Sequence, residues 1–294
     1  MMINGETIIT GVFGYPVKHS LSPVFQNAAF KFYDLNWIYV PFEVCPDNLR
    51  AAIEAIRVFS IKGVNITIPH KKEAVKYLDF CDEEVQVLGV CNTIVNDRGI
   101  LKGYSTDGPG FLRSLKEDGK FLPEKKRVFL FGAGGSAYAI AGTLVRVGIS
   151  EIMICNRTIE KALQLKDHLL RHFGFRDIRV VPFEDRNDSG IWKNVDIVIN
   201  TTSVGMKCDD IVLVDKKNLR EDIFVYDIVY NRETILISYA KERKLKFLDG
   251  LSMLVFQGAV SFKLWTGLDA PIETMKKALV DFKSRGYEDS SGRI

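Results

Sequence analysis

Two groups of residues in this 294-residue chain carry side chains and backbone suited to chemistry. The first is a glycine turn, Gly132-Ala133-Gly134-Gly135-Ser136-Ala137. It follows the apolar run Val128-Phe129-Leu130-Phe131 directly and opens a helical stretch. Glycines allow a tight turn and let the backbone approach a pyrophosphate. The helix N-terminus then offers free N–H groups and a partial positive charge to it. Tight turns without ligands are common, so the turn alone is a weak signal. The strand before it, the helix after it and a second strand at the right distance supply the context of a dinucleotide fold. Ala137 stands at the third glycine position and is small enough for close helix packing.

The end of the second strand selects the nucleotide. An NAD enzyme keeps an Asp or Glu there to accept from the ribose hydroxyls. This chain has Asn156-Arg157-Thr158, with Lys161 one helical turn on. A guanidinium, a hydroxyl and an ammonium suit a 2′-phosphate, through charge-assisted bonds of about 1.5–3 kcal/mol each. NADP(H) is therefore the expected cofactor. Thr158 is also placed to cap the helix over 159–173, and both roles can hold together.

The second group is four polar clusters at strand ends: Gly14 to Pro23, Gly63 to Lys71, Gly89 to Thr93 and Gly103 to Gly108. In open α/β sheets, ligands bind beyond the carboxyl ends of the strands. Ser20, Ser22, Thr67, Lys71, Asn92 and Asp107 can converge there. Hydroxyls, an amide, one ammonium and one carboxylate fit a small polyhydroxylated acid. Four of them have a plainer role open to them. Ser22 is a good helix cap, Thr67 and Asn92 are ordinary strand-end hydrogen-bonders, and a lone Lys71 would be a solvated helix lysine. For His19 and His70, which flank site residues, the exposed or structural role is preferred.

These residues need elements to position them. Strands are read at 8–13, 37–42 and 61–67, and as a hairpin over 90–96 and 100–104 across Asp97-Arg98-Gly99. Helices are read over 22–34, with Ser22 as N-cap and Pro23 at the first position, and over 47–59, with Asp47 as cap. A further helix opens at Pro69. This predicts a mostly parallel sheet, covered on both faces, with an antiparallel edge. A helix over 107–118 crosses to a second alternation. Its strands are 127–131, 151–155, 177–182, 195–200, 223–228 and 245–248, with helices over 136–147, 159–173 and 234–243. That is a doubly wound pattern. Two apolar helices, 252–266 and 271–284, return to the first domain. The expected class is α/β with two domains. An open, mixed-sheet substrate domain takes 1–107 with about 252–285, a Rossmann domain takes 108–251, and a flexible tail covers 286–294.

Composition removes other classes. With 40 basic and 37 acidic side chains, the net charge of +3 is too balanced for a nucleic-acid partner. No apolar run reaches the roughly 20 residues of a membrane span, and no secretion signal is read, so a cytoplasmic location is expected. The five cysteines, Cys45, Cys81, Cys91, Cys155 and Cys208, form no C-x-x-C, and the four histidines are not read as clustering at metal spacing. No disulfide framework and no metal are expected. Cys91 and Cys155 read as small core residues.

The four clusters, the glycine turn and Asn156-Arg157-Thr158 resemble the shikimate dehydrogenase family. So do Asn200-Thr201-Thr202-Ser203-Val204-Gly205-Met206 and the segment Asp249 to Gly258. The resemblance runs from about Gly11 to Gly267. It implies NADP(H)-dependent interconversion of 3-dehydroshikimate and shikimate, a step towards chorismate and the aromatic amino acids. It implies Lys71 and Asp107 as the catalytic pair, and Ser20 and Ser22 as partners of the substrate carboxylate. Thr67, Asn92 and Gln257 become partners of the ring hydroxyls, and Tyr230 lines the substrate cleft. Met206 and Met253 approach the nicotinamide, with Thr201, Ser203 and Gly250 also on the cofactor side. As hydride reaches the carbonyl carbon, Lys71 would stabilise the alkoxide and donate its proton. Which of Lys71 and Asp107 is the formal acid–base stays open, as does a homodimer.

The chain departs from the family pattern at Ser105, where Asn is usual, at Ser136 and Thr201, where alanine is usual, and at Arg232, where proline is usual. None removes a proposed catalytic group. Rival readings are a quinate/shikimate dehydrogenase that also takes NAD and a metabolite sensor that has lost activity. The sensor reading expects loss of Lys71 or Asp107, and both are present.

Overall fold

The computed structural model describes residues 3–207 and 210–285. The expected tail at 286–294 and Cys208 lie outside the described residues. The chain forms two compact units, one running to Gly110 and resuming at Leu254, the other Phe111–Met253.

The first unit contains β1 (Ile8–Gly14), α1 (Ser22–Phe32), β2 (Trp37–Glu43), α2 (Leu49–Val58), β3 (Gly63–Ile66), β4 (Phe80–Cys81), α3 (Glu83–Leu88), β5 (Thr93–Asp97) and β6 (Ile100–Tyr104). Its sheet has the order β2-β1-β3-β5-β6-β4. Side chains alternate along each strand. Val64 and Ile66 enter an apolar cluster with Leu49, Ile53 and Ile56 of α2. Asn65 between them faces the other way.

The antiparallel strand is not at an edge, where the sequence pattern puts it. β5 runs antiparallel to both β3 and β6 in the sheet interior, and the edge is the two-residue β4, parallel to β6. So short a strand gives no period to read. The hairpin itself is found: Asp97 pairs with Ile100, leaving Arg98 and Gly99 as the turn. Both have positive φ, 53° and 91°, as a two-residue hairpin turn requires.

Other local expectations are corrected. Ser22 is the first helical residue, not the cap. Leu21 occupies the cap position and no side chain caps the helix. Asp47 lies in a 3-10 turn, Pro46–Asn48, ahead of α2. No α-helix opens at Pro69. The Ile68-Pro69 bond is cis, and only a 3-10 turn follows at Glu73–Tyr77. Helix α3 is additional, and the Asp82 carboxylate caps it by accepting from Val85 N at 2.8 Å.

Two helices carry the chain between the units. They are α4 (Asp107–Glu117) and, after the second unit, α9 (Gly250–Thr266), which α10 (Ile272–Ser284) follows.

The second unit contains β7 (Arg127–Phe131), α5 (Gly135–Arg146), β8 (Glu151–Cys155), α6 (Ile159–Phe173), β9 (Ile178–Val181), α7 (Ser189–Trp192), β10 (Ile197–Asn200), β11 (Phe224–Asp227), α8 (Ile235–Glu242) and β12 (Phe247–Leu248). All neighbouring strands are parallel, in the order β12-β11-β10-β7-β8-β9. The order reverses between β7 and β10, which creates the switch-point crevice of a doubly wound fold. Phe129, Trp192, Val198, Leu236 and Ile237 fill one face, with Phe129 stacked on Trp192 at 4.6 Å.

Candidate active site

Strand register brings the first unit's polar residues to one edge. β1 and β3 are parallel, with Phe13 beside Ile66, so Gly14 and Thr67 leave the sheet together. A Cβ on Gly14 would lie 2.4 Å from the Thr67 methyl, so the two segments touch there. Because β5 is antiparallel, its N-terminal end lies at this same edge, and Ile66 N donates to Asn92 O at 2.8 Å. Thr93 pairs with Tyr104, so the chain leaving β6 also passes here and delivers Ser105, Thr106 and Asp107. A parallel β5 would have put Asp97, not Asn92, in this place.

The side chains join as a network. Lys71 Nζ lies 2.5 Å from Asp107 Oδ2. Asn92 Nδ2 donates to Asp107 Oδ1 at 2.9 Å and reaches Gln257 Oε1 at 3.3 Å. Asn92 Oδ1 accepts from Thr106 N at 2.6 Å, which fixes which end of its amide faces Asp107. Asn92 and Asp107 are 3% and 5% exposed, whereas the Lys71 side chain keeps 15%. A proton-carrying ammonium is thus open to a ligand, while its carboxylate partner is held from behind.

The backbone around Lys71 is also fixed. Its carbonyl accepts from Cys91 N at 2.8 Å. His70 is buried, with Nε2 2.7 Å from Val44 O, which is the structural role preferred for it. Ser20 Oγ accepts from Ser22 N at 3.3 Å, so these two serines form a local turn where the chain enters α1. Ser22 is buried and Ser20 half-buried.

Four residues of the network were not singled out from sequence: Asn65, Thr93, Thr106 and Ser261. Ser261 is one helical turn after Gln257, an i, i+4 spacing on α9 that could have pointed to it.

The second unit carries the glycine turn. Gly132 has φ 109°, and a Cβ there would lie 2.4 Å from Thr201 Oγ1. Gly134 precedes α5 at its N-cap, is exposed and has no atom within 4 Å of where a Cβ would stand. That space lies before the first-turn amides, which a helix leaves without intrahelical partners. The turn therefore has the shape and polarity to receive a pyrophosphate. Phe131 and Cys155 pair across β7 and β8, so Asn156-Arg157-Thr158 emerges beside Gly132. Arg157, Thr158 and Lys161 are exposed. Thr158 occupies the cap position of α6, but its hydroxyl makes no capping bond. Its carbonyl accepts from Asn156 Nδ2 at 2.8 Å. The residues present fit a dinucleotide with a 2′-phosphate.

Beyond the switch point, Thr201 turns its hydroxyl onto Phe131 O at 2.6 Å, so it ties β10 to β7. Ser203 is exposed and Met206 half-buried on the segment that follows. Asp227 ties the loops behind this segment. It accepts from Asn200 Nδ2 at 2.9 Å, Val229 N at 3.0 Å and Thr234 Oγ1 at 2.7 Å. Burial pushes its carboxyl up to about 6, against the pull of those three donors. Gly250 is sterically required: a Cβ there would lie 2.0 Å from Ile228 O. Met253 is buried and Tyr230 half-buried.

Comparison with known proteins agrees with this arrangement. Residues 12–94 match the shikimate dehydrogenase substrate binding domain, 118–233 match shikimate / quinate 5-dehydrogenase, and 250–280 match the shikimate 5′-dehydrogenase C-terminal domain. A shikimate dehydrogenase (NADP(+)) of Desulforamulus reducens is 41% identical over 280 residues, covering 94% of this chain and 96% of the relative. That of Pyrococcus furiosus is 44% identical over 279 residues, with the same coverage of 94% and 96%. The solved shikimate 5-dehydrogenase of Thermus thermophilus, in complex with NADP(H) and shikimate, matches with a TM-score of 0.81 at 33% identity, covering 93% of this chain and 99% of that one.

Proposed function

The chain belongs to the shikimate dehydrogenase family, and from that premise we propose that it reduces 3-dehydroshikimate to shikimate with NADPH, reversibly. The observation that carries this reading is the bonded set Lys71–Asp107–Asn92 at the open edge of the mixed sheet.

Ser20 and Ser22 hold the substrate carboxylate. Thr67, Asn92, Gln257 and Tyr230 take the ring and its hydroxyls. Gly132, Ala133, Gly134, Gly135, Ser136 and Ala137 hold the pyrophosphate. Asn156, Arg157, Thr158 and Lys161 hold the 2′-phosphate side. Thr201, Ser203, Met206, Gly250 and Met253 complete the cofactor's surroundings, Thr201 and Gly250 through the backbone they fix. Bound NADPH supplies the hydride, which goes to the carbonyl carbon. Negative charge then grows on the carbonyl oxygen. The Lys71 ammonium meets it with a hydrogen bond that strengthens as the charge develops, and gives up a proton to it. Asp107 holds Lys71 in place through Oδ2, while Asn92 holds Asp107 through Oδ1. In the reverse direction Lys71 takes the hydroxyl proton back.

The reading includes a cytoplasmic enzyme, supported by its need for NADPH, a diffusible intracellular cofactor. No described helix is long and apolar enough to cross a membrane. The reading also includes a homodimer as the assembly. Sedimentation equilibrium decides that point. The activity itself is tested by incubating the protein with 3-dehydroshikimate and NADPH and identifying the product by NMR. Shikimate formed in step with NADPH loss supports the reading. NADPH loss without shikimate, or no loss at all, rejects it.

A further inference from the structure

Behind Asn92 and Asp107 lies a second layer of polar side chains almost closed to solvent. Asn65, Thr93, Thr106 and Ser261 are 6%, 0%, 1% and 0% exposed. In such surroundings every donor needs an acceptor, and hydrogen-bond direction becomes a structural property. Here the directions are forced from two fixed points. Asn92 O and Gln257 O are backbone carbonyls and can only accept.

Asn65 Nδ2 lies 3.2 Å from Asn92 O, so the amide nitrogen faces that side. Tyr39 OH donates to the other end, Asn65 Oδ1, at 2.7 Å. The same Asn65 nitrogen therefore donates to Thr93 Oγ1 at 3.0 Å and to Ser261 Oγ at 2.9 Å. Ser261 sends its own proton to Gln257 O at 3.1 Å. Its hydroxyl is then an acceptor for every other neighbour, and the Thr93 hydroxyl, 2.8 Å away, must donate to it. Thr106 Oγ1 accepts from Asn92 Nδ2 at 2.8 Å, and its single proton has Thr93 Oγ1 at 3.3 Å or Gln257 Oε1 at 3.5 Å as acceptor. Asn92 is left with its oxygen on Thr106 N and its nitrogen on Asp107.

We propose that Ser261 is a positioning residue for the reaction. By accepting the Thr93 proton, it leaves Thr106 Oγ1 to accept from Asn92 Nδ2, a bond that helps hold the Asn92 amide against Asp107 and so Asp107 against Lys71. Without the Ser261 oxygen, the Thr93 proton has only Thr106 Oγ1 to turn to. It then competes there with Asn92 and loosens the Asn92 amide behind Asp107, while Thr106 N still fixes which end of that amide faces the carboxylate. Ser261 acts at one remove from the proton-transferring pair and touches no substrate. The inference rests on the proposed reaction for its kinetic consequence, but its geometry can be read without turnover.

The test compares Ser261→Ala, Ser261→Thr and Ser114→Ala with the unaltered chain. Ser114 is equally buried, with its hydroxyl 2.5 Å from Tyr226 OH in the second unit, so its loss reports the general cost of removing a buried serine. Two quantities are read: kcat and KM with their pH profiles, and the titration of Lys71 by NMR of labelled lysines, assigned with Lys71→Met. Ser261→Ala should lower kcat about tenfold, leave the shikimate KM within about twofold, and displace both the kcat pH profile and the Lys71 titration. Ser261→Thr should restore them. Ser114→Ala should lower the unfolding temperature without moving either. A Lys71 titration in Ser261→Ala that coincides with that of Ser114→Ala overturns the inference, whether or not the protein turns over 3-dehydroshikimate. Absence of turnover in the unaltered chain overturns the functional reading alone.

Discussion

Asn92 donates to Asp107 Oδ1 at 2.9 Å, on the opposite side of the carboxylate from Lys71, which lies 2.5 Å from Oδ2. The two contacts occupy both carboxylate oxygens and make Asp107 a fixed clamp between an amide and an ammonium. Of the three residues, Lys71 is the most exposed. The proton delivered to substrate therefore comes from Lys71 on this account, and Asp107 holds it.

Replacing Lys71 by Ala should lower kcat by about 10²–10⁴, with shikimate affinity largely kept. Calorimetric binding of shikimate alongside steady-state rates checks this. A kcat unchanged by the replacement removes Lys71 from the mechanism.

Arg157, in the turn between β8 and α6, and Lys161, in the first turn of α6, are exposed cations. Arg157→Ala should raise the KM for NADPH by about tenfold or more, the equivalent of one charge-assisted bond, and leave that for NADH nearly unchanged. Parallel initial-rate series with the two cofactors give the comparison. Equal effects on both contradict the assignment.

Gly110 packs on the backbone of Gln257. A Cβ there would lie 2.6 Å from Gln257 N and 2.8 Å from its Cα. Backbone atoms cannot swing aside, so Gly110→Ala should cost about 1–3 kcal/mol of stability and move Gln257 from its place beside Asn92. Urea unfolding and the shikimate KM measure both effects. The KM should rise as stability falls, and a KM that stays constant separates Gln257 from substrate binding.

Asp227 gives a pH signature. Its buried carboxyl titrates at about 6, above the ordinary 3.8. Between these values the folded state binds more protons than the unfolded state. This group's contribution to stability therefore falls as pH rises through that window and is flat above it. The size is about 3 kcal/mol as an upper figure. Asp227→Asn removes the step. Urea midpoints near about pH 4.5 and about pH 7.5 should show the variant gaining on the unaltered chain at the higher pH. A difference that is the same at both contradicts the buried-charge account.

Much of this site is legible in the sequence because its residues sit beside strong local signals. The Gly132 to Ala137 turn lies between a buried strand and a helix, and the crossing near Asp107 follows a hairpin marked by Arg98-Gly99. What is not legible depends on register and long-range pairing. That β5 runs antiparallel inside the sheet follows from tertiary order, and only this puts Asn92 beside Ile66. Ser261 joins Asn65 and Thr93 across 196 and 168 residues, a convergence no local pattern encodes. The absence of a Pro69 helix is likewise long-range: Cys91 N takes the Lys71 carbonyl and ties the chain to the sheet edge, so the i→i+4 bond from Ala74 N to His70 O is not extended into an α-helix.

The central claim is most directly tested by absorbance at the nicotinamide band, with the protein mixed with shikimate or quinate and with NADP⁺ or NAD⁺ in all four combinations. The account predicts fast reduction with shikimate and NADP⁺ and far slower reduction in the other three. Comparable turnover with quinate or NAD⁺ contradicts the assigned specificity. No turnover in any combination, from folded protein that still binds NADPH, contradicts the assigned reaction.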